Sequence, residues 1–201
     1  MSTPPPVSAN LITAARLPLA PIAVLCLTTH HPAGTVAAAV LALILELTDI
    51  LDGKIARSYG QVSDFGKLFD PFSDAATRFT LFLGLYEVGV ADLWMILVIF
   101  YRDSSISFLR SVAAVRRVVL AARPSGKIKA VVQGVGSQLV FLCLVAFQVA
   151  PGLPLPPQTP WWIMLAMTVV TAWSWVDYFA GNREIVQAAW NDAPVDRSGG
   201  G

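Results

Sequence analysis

The sequence predicts an all-α integral membrane protein with six transmembrane helices, and three observations carry that reading. Of its 201 residues, 55% are hydrophobic and only 13% charged, against about 25% charged in an ordinary soluble domain. Its mean hydropathy is +0.63. The apolar residues fall into six stretches, each close to the about 20 residues that cross a bilayer. They form one membrane domain over residues 1–201, with a core at about 10–181 and a polar tail at about 182–201. The net charge of +1 gives no electrostatic case for nucleic acid. Cys26 and Cys143 lie far apart in apolar stretches and form no CxxC pair, so they read as small core residues. Met1 to Asn10 is proline-rich and without a basic residue, unlike a secretory signal.

Asn10 is a fitting N-cap for a first helix to about Thr28, which Pro18 and Pro21 are expected to kink or break. His30 to Gly34 is a turn. A second helix runs from about Thr35 to Arg57, and Ser58 to Ser63 is a short polar loop. The third helix, from about Asp64 to Tyr86, follows at once, so the second and third are expected to be antiparallel neighbours. Glu87 to Asp92 turns into a fourth, from about Leu93 to Ala121, which Arg123 to Gly126 ends. A fifth runs from about Lys127 to Val149. After the uncharged loop Pro151 to Pro160, a sixth spans about Trp161 to Phe179. A short helix is expected beyond Gly181, then a disordered tail.

Lysine and arginine set the orientation. The turns His30–Gly34, Glu87–Asp92 and Pro151–Pro160 contain neither, whereas the opposite side collects Arg57, Arg116, Arg117, Arg123, Lys127, Lys129 and Arg183. That side should face the cytoplasm and hold both termini, as in a multi-pass protein of the inner (plasma) membrane. Trp94, Trp161 and Trp162 then sit at the outer interface. Arg116, Arg117 and Arg123 read as anchors to anionic headgroups.

Four carboxylates interrupt this apolar pattern. Asp49, Asp52 and Ala56 share one face of the second helix, and Gly66, Asp70 and Asp74 one face of the third. Asp49 stands roughly 12 Å from the Arg57 end, in the cytoplasmic half of the bilayer. Intramembrane charges are costly and mark function. Four acids together repel unless cations hold them, and carboxylates without Cys or His suit Mg2+ or Mn2+ rather than zinc. Two such ions about 4 Å apart can clamp a phosphoryl group. Gly53, Gly66 and Ala56 clear space for a bulky ligand, and Arg57 can neutralise a phosphate. The competing reading, a salt-bridged helix pair, has only Lys54, Lys67 and Arg78 nearby to supply it. Arg78, four residues after Asp74, is placed to pair with it.

The pattern D-x2-D-G-x2-A-R-x8-G-x3-D-x3-D over Asp49 to Asp74 resembles, without a gap, the signature of the CDP-alcohol phosphatidyltransferases. The resemblance implies a six-span fold, a homodimer, and transfer of a phosphatidyl group from CDP-diacylglycerol to an alcohol with release of CMP. It implies Asp49, Asp52, Asp70 and Asp74 as metal residues, with Asp74 also the general base. Asp52, Gly53, Ala56, Arg57 and Gly66 would form the CDP contact.

Three further stretches resemble the phosphatidylglycerophosphate synthases of that family: Asn10 to Arg16 with Thr13 and a following Pro21; Arg102-Asp103 with Arg110; and Gly126-Lys127-Ile128-Lys129 with Gln133. Asp103 stands where those proteins carry glutamate, Ser111 where an acid is common, and Ala130 where they carry threonine. Arg102, Arg110, Lys127 and Lys129 would give a phosphorylated acceptor its counter-charges. The acceptor expected is glycerol 3-phosphate, with myo-inositol phosphate next. Alternatively, Arg110 pairs with Asp103 and the lysines are positive-inside residues. A cation transporter would explain the carboxylates but not Gly53, Ala56-Arg57 or Gly66, and a non-catalytic scaffold would need none of them.

Overall fold

A computed structural model describes residues 9–58, 64–116, 120 and 123–191. Six long helices and one short one follow in order: α1 (Ala9–Leu27), α2 (Pro32–Ser58), α3 (Asp64–Glu87), α4 (Leu93–Val115), α5 (Pro124–Val149), α6 (Thr159–Gly181) and α7 (Arg183–Trp190). No strand occurs among the described residues. The long helices close a ring: α1 packs on α2 and α3, α3 on α4, α4 on α6, α6 on α5, and α5 back on α2. α7 rests against α4 and α6.

The ring is apolar on its outer face, as lipid requires, and its core is apolar too, with a few polar side chains among Phe82, Leu85, Met95, Ile96, Phe141 and Met164. Leu25, Val40, Leu43, Val135, Leu142 and Val176 point outward and are exposed. Inside, Gln133 donates to the Thr171 hydroxyl at 2.8 Å, and Ser137 and Thr168 bond to backbone carbonyls. Three stretches are long and apolar enough to cross a membrane by length and composition: Pro32–Asp49, Pro124–Val149 and Thr159–Gly181; a shorter apolar helix covers Thr13–Leu27. α3 and α4 do not qualify, and they carry Asp70, Asp74, Arg78, Arg102, Asp103 and Arg110, the charges of the site described below.

Four expectations change. Of the kink or break expected at Pro18 and Pro21, the break does not form: α1 runs on through both, since in a packed membrane helix neighbours can re-satisfy the freed carbonyls. α4 stops at Val115 rather than about Ala121. α5 begins at Pro124, because proline at the first turn needs no N–H and its φ suits a helix start; that proline opens a helix rather than only ending one. Lastly, among the described residues α2 and α3 meet through side chains, Arg78 reaching Glu46 and Asp49, while the closer helix packing of each is with α1. The small residues Ala20 and Ala23 of α1 and Ala38 and Ala42 of α2 are fully buried and permit that close approach. The disordered tail expected beyond α7 lies outside the described residues. The turn holding His30 and His31 is exposed, as expected, and Cys26 and Cys143 are half-buried free thiols.

Candidate active site

Arg16 is the one charged residue of α1, and it is 1% exposed. A guanidinium so placed needs acceptors, and three carboxylates supply them. Arg16 Nη1 donates to Asp49 Oδ1 at 2.5 Å and to Asp74 Oδ1 at 3.1 Å; Nη2 donates to Asp70 Oδ1 at 2.9 Å. The acids of α2 and α3 thus meet through α1. Asp70 is the most open, with its side chain 52% exposed, so the cluster is reached from that side.

A second arginine backs the first. Arg78 lies 3.8 Å from Asp74, one turn along α3, and 3.7 Å from Asp49. It also lies 3.9 Å from Glu46, one turn before Asp49 on α2. Glu46 is wedged against α5: a Cβ on Gly134 would collide with its Oε1, so glycine there lets α5 close on α2. Behind the carboxylates is a cavity of about 20 Å³, lined in part by Arg16, Glu46, Thr77, Arg78 and Ser137. That is room for about one water.

Asp74 also lines a larger cavity of about 200 Å³, together with Arg78, Arg102, Asp103, Arg110 and Lys129. Four cations face two carboxylates there, leaving a net positive space beside Asp74. Its volume is below the about 300–1,000 Å³ of drug-sized sites, which suits a small anionic molecule. Arg102 is buried, donating to Asp103 Oδ1 at 2.8 Å and to the Ser174 hydroxyl at 2.9 Å. Lys129 Nζ donates to both Asp103 oxygens, at 2.8 and 2.9 Å. Arg110 is exposed and makes no ion pair among the described residues, so the alternative pairing of Arg110 with Asp103 does not form. Next to this cavity, Asp177 of α6 receives Arg123 at 2.5 and 3.1 Å and Ser125 at 2.5 Å, clasping the start of α5 to the end of α6.

Of the residues singled out from sequence, the structure brings Asp49, Asp70 and Asp74 together, and separately Asp74, Arg102, Arg110 and Lys129. Lys127 is exposed and does not line the cavity. Asp52, Gly53, Ala56 and Arg57 follow Asp49 on the same unbroken helix, but their side chains lie outside the described residues. Gly66 is half-buried in the first turn of α3. Sequence reasoning gave no site role to Arg16, Glu46 or Asp103. A lone charge in an apolar helix was the available signal for Arg16.

Oxygen-only donors are the set that magnesium or manganese takes, so the chemistry of the cluster fits a hard divalent ion. Among the described residues, no three acidic, Cys or His side chains stand at the mutual spacing of a metal site. The acids converge on the Arg16 guanidinium instead.

The chain also resembles known proteins. The family model for CDP-alcohol phosphatidyltransferase matches residues 6–173. A CDP-diacylglycerol–glycerol-3-phosphate 3-phosphatidyltransferase of Bacillus subtilis is 30% identical over 192 residues, covering 90% of this chain and 97% of that protein. A probable phosphatidylglycerophosphate synthase of Mycobacterium tuberculosis is 34% identical over 139 residues, 68% of this chain and 66% of that protein. A Treponema pallidum protein with the same name as the Bacillus one is 36% identical over 118 residues, 58% of this chain and 55% of its own length. The family match runs from before α1 into α6 and so takes in Arg16, both faces of acids and the cationic cavity: the chain belongs to the CDP-alcohol phosphatidyltransferase family.

Proposed function

We propose that this membrane transferase moves a phosphatidyl group from CDP-diacylglycerol to glycerol 3-phosphate, releasing CMP and forming phosphatidylglycerophosphate. The observation that carries the choice of acceptor is the cationic cavity of about 200 Å³ sharing Asp74 with the carboxylate cluster. A phosphate monoester needs such counter-charges, whereas serine or free inositol does not. The relatives named for glycerol 3-phosphate support the same reading.

Asp49, Asp52, Asp70 and Asp74 would hold Mg2+ or Mn2+, two ions per site, which when bound stabilise charge on the phosphoryl oxygens. Asp52, Gly53, Ala56, Arg57 and Gly66 would take the CDP moiety. Arg110 and Lys129 draw the acceptor's phosphate into the cavity. That leaves its hydroxyl facing Asp74, which accepts the proton as the oxygen attacks the phosphorus bearing diacylglycerol. The bond from that phosphorus to the CMP oxygen breaks, and CMP departs. Lys127, exposed at the first turn of α5, would act at longer range by charge.

The proposed setting is a homodimer in the plasma membrane, with six spans and with both termini and the site on the cytoplasmic side. Incubating purified protein with CDP-diacylglycerol and, in parallel, glycerol 3-phosphate, inositol phosphate, serine and inositol tests the acceptor. CMP release should follow glycerol 3-phosphate. Use of only neutral or zwitterionic acceptors would refute the role of Arg110 and Lys129. Cation flux into liposomes without CMP release would favour a transporter.

A further inference from the structure

We infer that Asp103 is a positioning residue of the acceptor site, holding Lys129 and Arg102 in the single arrangement that receives a phosphate monoester. The inference rests on reading the cationic cavity as the acceptor site. Lys129, Asp103, Arg102 and Ser174 form one continuous run of contacts between 2.8 and 2.9 Å, joining α5, α4 and α6 around that cavity. The Lys129 side chain is only 8% exposed, and an ammonium so far from water needs a fixed counter-charge. Asp103 supplies it with both oxygens, which occupies two of the three ammonium N–H groups and leaves one for a ligand. Each Nη of Arg102 makes one of these bonds, to Asp103 and to Ser174, which fixes the guanidinium between α4 and α6.

The cations of the cavity therefore divide their work. Arg110 and Lys129 present N–H groups to the phosphate, while Arg102 and Asp103 brace Lys129. Two effects oppose each other when the Asp103 charge is removed. The cavity becomes more positive, which favours an anion. Lys129 loses its anchor and its only close counter-charge among the described residues, so it turns away from the cavity. For a side chain this buried the second effect dominates.

The test is steady-state kinetics of the full-length purified protein, with CDP-diacylglycerol in mixed micelles. Asp103→Asn should raise the KM for glycerol 3-phosphate about tenfold, the scale of losing an oriented charge-assisted hydrogen bond. The KM for CDP-diacylglycerol should stay within about twofold and kcat should change less than the acceptor KM. Asp103→Glu, which keeps the charge, should restore most of the affinity. In a Lys129→Met background, Asp103→Asn should add no further rise, because it acts through the lysine. If Asp103→Asn raises both KM values alike, or leaves the acceptor KM unchanged while Lys129→Met raises it, the positioning role is wrong and the acceptor site stands. If Arg110→Ala and Lys129→Met both leave the acceptor KM unchanged, the acceptor-site reading itself is wrong. Should Asp103→Asn fail to purify as a folded protein, Ser174→Ala takes its place. It removes only the far end of the run, and its expected rise in acceptor KM is about threefold; no rise overturns the inference.

Discussion

Asp74 has contacts on two sides, the carboxylate cluster through Arg16 and the cationic cavity through its lining, and this shared position is what a general base between two substrates needs. Asp74→Asn keeps the shape and removes the basicity. It should cut turnover by at least about 100-fold, the usual scale of general-base loss, with an unchanged elution volume on size exclusion. Arg16→Gln should do a different kind of damage. It leaves Asp49, Asp70 and Asp74 facing one another without their shared cation and should cost about 3 kcal/mol, towards the lower end for broken buried pairs because the acids are partly open to water. Thermal unfolding in detergent would register that loss. Arg16→Lys should rescue it only in part, since an ammonium lacks the planar fork that reaches acids on two helices. The meeting of Asp49, Asp70 and Asp74 was legible in the sequence, because their spacing puts them on facing sides of two helices in an apolar chain. The role of Arg16 was not: a single arginine on a helix with no other charge announces that it has partners, but only the tertiary arrangement says which.

At the scale of helices, local sequence located every long element, and the errors came from neighbours. The short connection after α2 suggested that α2 and α3 pack directly; among the described residues each packs on α1, and the two meet through side chains, Arg78 reaching Glu46 and Asp49. Nothing local to residues 49–74 encodes the part α1 plays. Pro124 looked like a break and is instead the first turn of α5, a matter of which side of the residue the helix lies on. The α1–α2 turn depends on Gly34, where a Cβ would collide with the Cys26 carbonyl of the backbone as well as with the Thr29 hydroxyl. A backbone oxygen cannot step aside as a side chain can. Gly34→Ala should therefore lower stability by about 1–3 kcal/mol, the range for overpacking, read as a drop in Tm. It should also weaken activity, because the α1–α2 hairpin sets Arg16 opposite Asp49.

For the whole molecule, composition was enough to declare a membrane protein, and three described stretches satisfy the length and apolarity of a span outright. α3 and α4 fall short because they carry Asp70, Asp74, Arg78, Arg102, Asp103 and Arg110. The orientation we propose predicts that, after Cys26 and Cys143 are replaced by serine, a thiol reagent that cannot cross membranes labels His31→Cys from outside intact cells. Lys127→Cys should be labelled only after the membrane is opened. The divalent ions we propose predict that EDTA abolishes CMP release, that magnesium or manganese restores it, and that zinc does not, given a site with oxygen donors only.

The placement of α1 has a consequence for how such chains are recognised. A copy beginning after Leu27 would preserve the signature from Asp49 to Asp74 letter for letter, so a search on those letters would accept it as intact. Yet it would lack the guanidinium on which its acids converge. We would expect such a shortened relative to be an inert lookalike.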